Sequence, residues 1–292
     1  MRTAGLDRRN FLARLGLLGA LAGSSVVLPP WMGVAAAYTE EEITNLVRQI
    51  FTEMTRDTFC ALTVFVVPGQ DAYSAAQGTP EPDAGALETR TPDFIIDMID
   101  GLLTLPFEFE QGVVSLLASD LSNVPLPNPD DLPDLPPDTV NTVADAVQRL
   151  LANSEALPLS QILGLLLNLV ATLVDSSSVT GNFLSPFARL SIGEKAAVLS
   201  LLEDPNSPVM TQLASQLPPD QVDLVVGLVV NLVSGILAFI GLGAYSEWST
   251  FDPVHRTITS RPAGWDVCGY PGVRDGWDDF KGYLQGRTEV SG

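Results

Sequence analysis

The chain has 292 residues, of which 46% are hydrophobic and 17% charged, with 35 acidic side chains against 15 basic ones and a formal charge of −20. So acidic a protein repels a phosphate backbone, which excludes nucleic acid as a partner, and so apolar a composition excludes a disordered chain. Two cysteines and one histidine leave no zinc or haem ligand set and no Cys-x-x-Cys-His motif.

The N-terminus carries Arg8-Arg9 followed by Phe11-Leu12, then a glycine-diluted apolar run over residues 15–28, then Ala35-Ala36-Ala37. This order of charged, apolar and small-residue regions reads as a twin-arginine export signal. Ala35 and Ala37 supply the small side chains for cleavage before Tyr38. Signals of this type export folded proteins, so the expected location is periplasmic or in the cell envelope, outside the cytoplasmic membrane. Cleavage removes Arg2, Arg8, Arg9 and Arg14 together with Asp7, taking the charge from −20 to −23. The remaining chain, about 255 residues long, can bury one core or two small ones. Export makes a disulfide between Cys60 and Cys268 admissible. Two unpaired thiols are the alternative, because folding before export takes place in a reducing compartment.

Thr39 followed by Glu42 forms a capping box, and Ile43, Leu46, Val47, Ile50 and Met54 then share one helical stripe. Residues 60–67 are apolar and β-branched up to Pro68-Gly69, and suit either a short strand or the tail of a buried helix. A polar loop over 70–90 precedes Thr91-Pro92, which starts a helix with Phe94, Ile95, Met98, Ile99, Leu102 and Leu103 inward. The proline-rich acidic stretch 124–138 reads as an extended connector. Beyond it Val140, Val143, Val147, Leu150 and Leu151 mark a helix, Ser191 to Glu194 a capping box, and Ser207-Pro208 a further helix start.

Residues 162–174 and 222–243 are apolar nearly all round and share a Gly…Asn-Leu-Val pattern at 164–170 and 227–233, the mark of a duplicated hairpin or of coincidence in Leu/Val-rich sequence. The second is long enough to span a bilayer, which leaves membrane association open. Asp223, Asn231 and acidic flanks without a positive-inside bias favour a buried helix or one covered by a partner. The expected architecture is mainly α: a helical region over 38–123, the connector over 124–138, an apolar helical region over 139–244 and an irregular, turn-rich aromatic tail over 245–292. The tail holds Trp248, Trp265 and Trp277 with Gly269-Tyr270-Pro271-Gly272, aromatics on turns that either plug a core or dock on another protein.

His255 is the lone histidine, and no Gly-x-Ser-x-Gly accompanies it, so a Ser-His-Asp hydrolase is not expected. Gly241-Leu242-Gly243 lacks the third glycine and the strand context of a dinucleotide fingerprint and reads as a helix ending. Asp278-Asp279 reads as solvated surface.

The chain resembles the small subunits of flavin dehydrogenases described as gluconate 2-dehydrogenase subunit 3-like. The resemblance rests on Arg8-Arg9, Pro68-Gly69-Gln70-Asp71, Asp83 to Glu88 leading to Ile99-Asp100, and Gly264-Trp265 with Gly269-Tyr270-Pro271-Gly272. It implies a non-catalytic accessory subunit with no cofactor of its own. Such a subunit binds and stabilises an FAD-dependent large subunit of the glucose-methanol-choline oxidoreductase class and carries it through the twin-arginine translocase. Trp265, Tyr270, Pro271 and Trp277 are then the candidates for docking. An exported helical carrier of a hydrophobic ligand or lipid, lined by 162–174 and 222–243, is the alternative.

Overall fold

The computed structural model describes residues 40–102, 109, 112, 113, 115, 116, 150 and 157–272. The export signal with Arg8, Arg9, Phe11 and Leu12, the cleavage residues Ala35 and Ala37, the cap residue Thr39, the connector over 124–138, the helix expected over 140–151 apart from Leu150, and Trp277 lie outside the described residues.

The described part is mainly helical, as expected, with strand confined to one small hairpin. Helix α1 spans Glu40–Val66. Val47, Ile50, Phe51 and Met54 form its buried stripe, and from Thr58 to Val64 every residue is buried. That burial removes the helical period from the segment, and of the two readings open for residues 60–67 the structure takes the helix tail, with α1 continuing to Val66. Pro68 ends the helix because it has no amide to donate, while Val67 N still reaches Thr63 O at 2.9 Å.

The expected loop over 70–90 contains a short helix, α2 (Ala72–Gln77), which the composition did not signal. Asp71 starts it by accepting from the amides of Tyr73 and Ser74, and Gly78 ends it in the left-handed region at φ 90. Helix α3 (Thr91–Leu102) buries Ile95, Met98 and Ile99.

After residue 157 the order is α4 (Leu159–Val174), a 3-10 turn (Ser176–Val179), α5 (Pro186–Arg189), α6 (Ile192–Glu203), α7 (Pro208–Ser215) and α8 (Val222–Tyr245). The capping box at Ser191 and Glu194 is present with both reciprocal bonds, and Ser207 caps α7 with Pro208 in its first turn. Helix α8 runs two residues past Gly243, where the glycines had suggested an ending. The tail holds β1 (Phe251–Asp252) antiparallel to β2 (Thr257–Ile258), and a one-turn helix, α9 (Ala263–Val267), where only turns were expected.

One cluster of buried side chains runs from Val47 to Ala244 and combines residues from both sides of the connector. Helices α1 and α4 pack at its centre, with α3 and α5 against α1, α6 against α4, and α8 laid across α3 and α6. Gly164 lets α4 approach α1 closely, since a Cβ there would lie 3.2 Å from Thr55 Oγ1. The resembling heptapeptides occupy different environments. Asn168 is buried, donating to Thr58 Oγ1 at 2.9 Å and accepting from Phe187 N at 3.1 Å, whereas Asn231 is exposed and donates to Gly227 O of its own helix at 2.7 Å.

Candidate functional site

Helix α8 has one buried side and one exposed side. Val225, Val229, Val233, Ile236 and Ile240 pack inward. At helical spacing on the other side, Leu224, Phe239, Leu242 and Tyr245 are exposed, Leu242 by 57% and Tyr245 by 53%, with Leu228 and Leu232 half-buried between them. The resulting apolar stripe is on the order of 30 Å long. Large apolar stripes left in water mark surfaces that meet something else. Asp223, Asn231 and Ser234 are exposed polar side chains on this side; Asn231 turns its amide back onto the helix backbone and Ser234 donates to Glu203.

The tail folds against the end of this helix. Gly264 lies on the carbonyls of Ala244 and Ser246, where a Cβ would come within 2.8 Å of both oxygens. Trp248 meets Phe94 edge-on at 5.5 Å, and Phe94 in turn covers Gly243. Of the docking candidates, Trp265 is half-buried. Its Nε1 donates to Glu247 at 3.0 Å, and its ring meets Tyr270 edge-on at 5.1 Å beneath the Arg261 guanidinium. Tyr270 and Pro271 are exposed, so the tail presents these two, while Trp265 serves as their support. The hairpin adds Phe251 and Val254, the latter 82% exposed. His255 pairs with Asp252 at the same hairpin, Nδ1 to Oδ2 at 2.7 Å, on the surface.

Cys60 is a buried free thiol in α1 and Cys268 an exposed free thiol after α9, so the disulfide left open by the sequence is not formed in this structure. Burial pushes the Cys60 thiol up to about 11. Among the described residues no cluster of three His, Cys, Asp or Glu side chains is placed to hold a metal ion.

Two of the segments quoted for the resemblance, Pro68 to Asp71 and Asp83 to Glu88, lie against each other. The turn at Pro68-Gly69 crosses the segment starting at Asp83 with the two glycine backbones in contact: a Cβ on Gly69 would lie 2.7 Å from Gly85 N. Ala86 N donates to Val67 O at 3.0 Å, Glu81 N to Gly69 O at 3.2 Å, and the Glu88 carboxylate accepts from Gly85 N at 2.8 Å. This crossing supports α2 and the end of α1.

Beneath it lies a polar core that sequence reasoning missed. Asp57 accepts from Tyr73 Oη at 2.6 Å, from Ser185 N at 2.8 Å and from Ser185 Oγ at 2.7 Å, joining α1 to α2 and to the start of α5. Lys195 is fully buried, donating to Gln77 Oε1 at 2.8 Å and to Ala61 O at 3.3 Å. The available signal was positional: Lys195 stands three and four residues before Val198 and Leu199, on the buried face of α6. Burial lowers its ammonium to about 8, with Asp71 and Asp57 opposing the shift.

A pH dependence follows with a definite sign. Between about 8 and the usual 10.5, unfolded chains keep the Lys195 proton while folded ones release it, so stability rises with pH across that interval. Cys60 acts in reverse, since the folded state keeps a proton that the unfolded state loses above 9.0. Urea unfolding should therefore show a gain of about 1 kcal/mol from pH 8 to pH 9, flattening above. Lys195→Met should abolish the gain and leave only the alkaline loss. An unchanged profile in that variant would show that Lys195 does not titrate in this range.

Helices α4 and α8, expected to line a ligand cavity in the carrier alternative, share with α1 and α6 an apolar cavity of about 20 Å³, no larger than a water molecule needs. Comparison with protein-family models, curated proteins and solved structures finds no match for this chain.

Proposed function

We propose that this chain is a non-catalytic accessory subunit that binds, stabilises and co-exports an FAD-dependent oxidoreductase of the glucose-methanol-choline class. The exposed stripe of α8, with Tyr270 and Pro271 beside its end, is the docking surface in this reading. The single observation that carries the docking part is the stripe itself, along which Leu224, Phe239, Leu242 and Tyr245 are exposed. The identity of the partner rests on the family resemblance and the route on the twin-arginine signal.

A membrane-spanning α8 is the competing reading, favoured by the length and composition of the helix. Against it stands the Glu203 carboxylate, which accepts from Ser234 Oγ at 3.0 Å halfway along α8. A span would place that acid near the bilayer centre at a cost of several kcal/mol.

The test is co-expression with a signal-less flavoprotein encoded beside this chain. The pair Phe239→Asp and Leu242→Asp should weaken association about thirty-fold, equivalent to about 2 kcal/mol. Because both side chains are exposed, the melting temperature should stay unchanged. Replacing Arg8 and Arg9 by Lys keeps the charge but loses the planar guanidinium donors, and should hold both proteins in the cytoplasm. The reading fails if the flavoprotein still reaches the exterior without its own signal, or if the double Asp variant binds it as well as the native chain. Alkali-resistant recovery with membranes would support the spanning helix instead.

A further inference from the structure

The charge around the α8 stripe points to the chemistry of the surface that meets it, an inference that rests on the accessory-subunit reading above. Residues 196–254 contain six acidic side chains and no Lys, Arg or His. The acids are Glu203, Asp204, Asp220, Asp223, Glu247 and Asp252, each exposed or half-buried. Three of them mark the stripe. Asp223 stands in the first turn of α8 beside exposed Leu224. Glu203 ends α6 and meets the helix midway, accepting from Ser234 Oγ at 3.0 Å. Asp223 and Ser234 are eleven residues apart, about three turns of helix, so both acids border the same long edge of the stripe. Glu247 follows two residues after Tyr245, the last residue of α8. The next basic residues in the chain, Arg256 and Arg261, belong to the tail, and Arg261 is paired with Asp266 at 2.9 Å. Arg90, which lies over the Trp248 ring, is paired with Asp93.

Shape narrows the occupant further. Leu224, Leu228, Phe239 and Leu242 recur on the stripe at helical spacing, and side chains so arranged form ridges and grooves that fit those of a second helix. Gly227 and Gly235, half-buried, lie about two turns apart on α8. A Cβ at either would meet no described atom within 4 Å. The described packing gives these glycines no role, although glycine is among the least favourable residues inside a helix. Close approach of another backbone would give them one.

A second copy of this chain fits poorly. Paired in either direction, two stripes would oppose acids to acids, because the start, the middle and the end of each are acidic, and like charges across an interface repel. An anionic membrane surface is repelled for the same reason. We infer that the stripe receives one amphipathic helix of the flavoprotein, apolar on the contacting face and carrying Lys or Arg along the flank that meets Glu203 and Asp223.

The experiment measures binding of a fluorescent synthetic peptide to the full chain by anisotropy. The peptide is a helix of about twenty residues with Leu on one face and Lys on its flanks, and its twin has Glu in place of every Lys. One Lys peptide should bind per chain, with the Glu twin weaker by about ten-fold. Asp223→Asn combined with Glu203→Gln, which keeps an acceptor for Ser234, should weaken the Lys peptide about five-fold. Glu81→Gln combined with Asp83→Asn changes the charge equally but lies outside the acidic stretch, and should leave binding unchanged. Gly235→Leu should weaken binding about ten-fold by filling the gap between backbones, while the melting temperature holds or rises because Leu favours a helix.

Equal binding of the two peptides, several Lys peptides per chain, or equal effects of the two acid pairs would reduce the interaction to diffuse attraction to a chain of charge −20 and overturn the inference. Native affinity in Gly235→Leu would overturn the helical occupant. A dimer of the chain, or binding to phosphatidylcholine vesicles, that Phe239→Asp abolishes would assign the stripe elsewhere. The same acid variants in the complex with the flavoprotein separate the two readings. A complex indifferent to Asp223→Asn with Glu203→Gln keeps the accessory subunit and removes the basic helix, whereas peptide binding without a complex does the reverse.

Discussion

Asp57→Ala is expected to destabilise the fold by about 4 kcal/mol, a large share of what a domain possesses. The carboxylate takes three donors from two elements distant in sequence. Ser185, which supplies two of them, is fully buried, so water cannot replace the lost acceptor. Each donor left buried without a partner costs about 1–3 kcal/mol, and the half-buried Tyr73 hydroxyl recovers part of its share from solvent. Asp57→Asn should cost less, since its carbonyl oxygen can still accept. Urea unfolding at neutral pH measures both. A loss under about 1 kcal/mol for the Ala variant would show that the start of α5 is held by apolar packing rather than by this carboxylate.

Gly85→Ala should cost about 2–4 kcal/mol, although it removes a flexible residue and adds only a methyl group. The new Cβ would fall 2.7 Å from both Gly69 N and Gly69 Cα. These are backbone atoms that cannot rotate aside as a side chain would. The hydrogen bonds Ala86 N to Val67 O and Glu81 N to Gly69 O hold the two segments at that distance. Gly193→Ala is the matched control. Nothing lies within 4 Å of a Cβ at Gly193, which sits in the first turn of α6, so that change should be neutral or stabilise by up to about 1 kcal/mol. Thermal melts that rank the two variants in the opposite order would remove the glycine crossing as a structural constraint.

Local chemistry was legible in the chain. Ser191 with Glu194 and Ser207 with Pro208 declare their helix starts because capping needs only residues three positions apart. The stripe of α1 is visible for a similar reason: one face of Val47, Ile50 and Met54 is buried there and the other is wet. Where burial surrounds the helix, as from Thr58 to Val64, the period vanishes, and strand and helix become indistinguishable by sequence.

Composition and spacing thus determined the helical class and several of the helix starts, since these depend on neighbours within a turn or two. Only the tertiary structure decided which charges went inside and which apolar surface stayed out. Lys195 is buried because Gln77 and Ala61 reach it from more than 100 positions away. Asp57 and Ser185 meet across a comparable separation, and Gln161 faces Thr52 in the same way. For α8 the sequence is apolar nearly all round, and only Asp223, Asn231 and Ser234, all on the exposed side, mark a preference. Phe94 against Gly243, and Val233 and Ile236 against the core, select the buried side. The candidate docking stripe is what remains once α3 and α6 have covered the other face, because each helix can pack on only part of its neighbour's circumference.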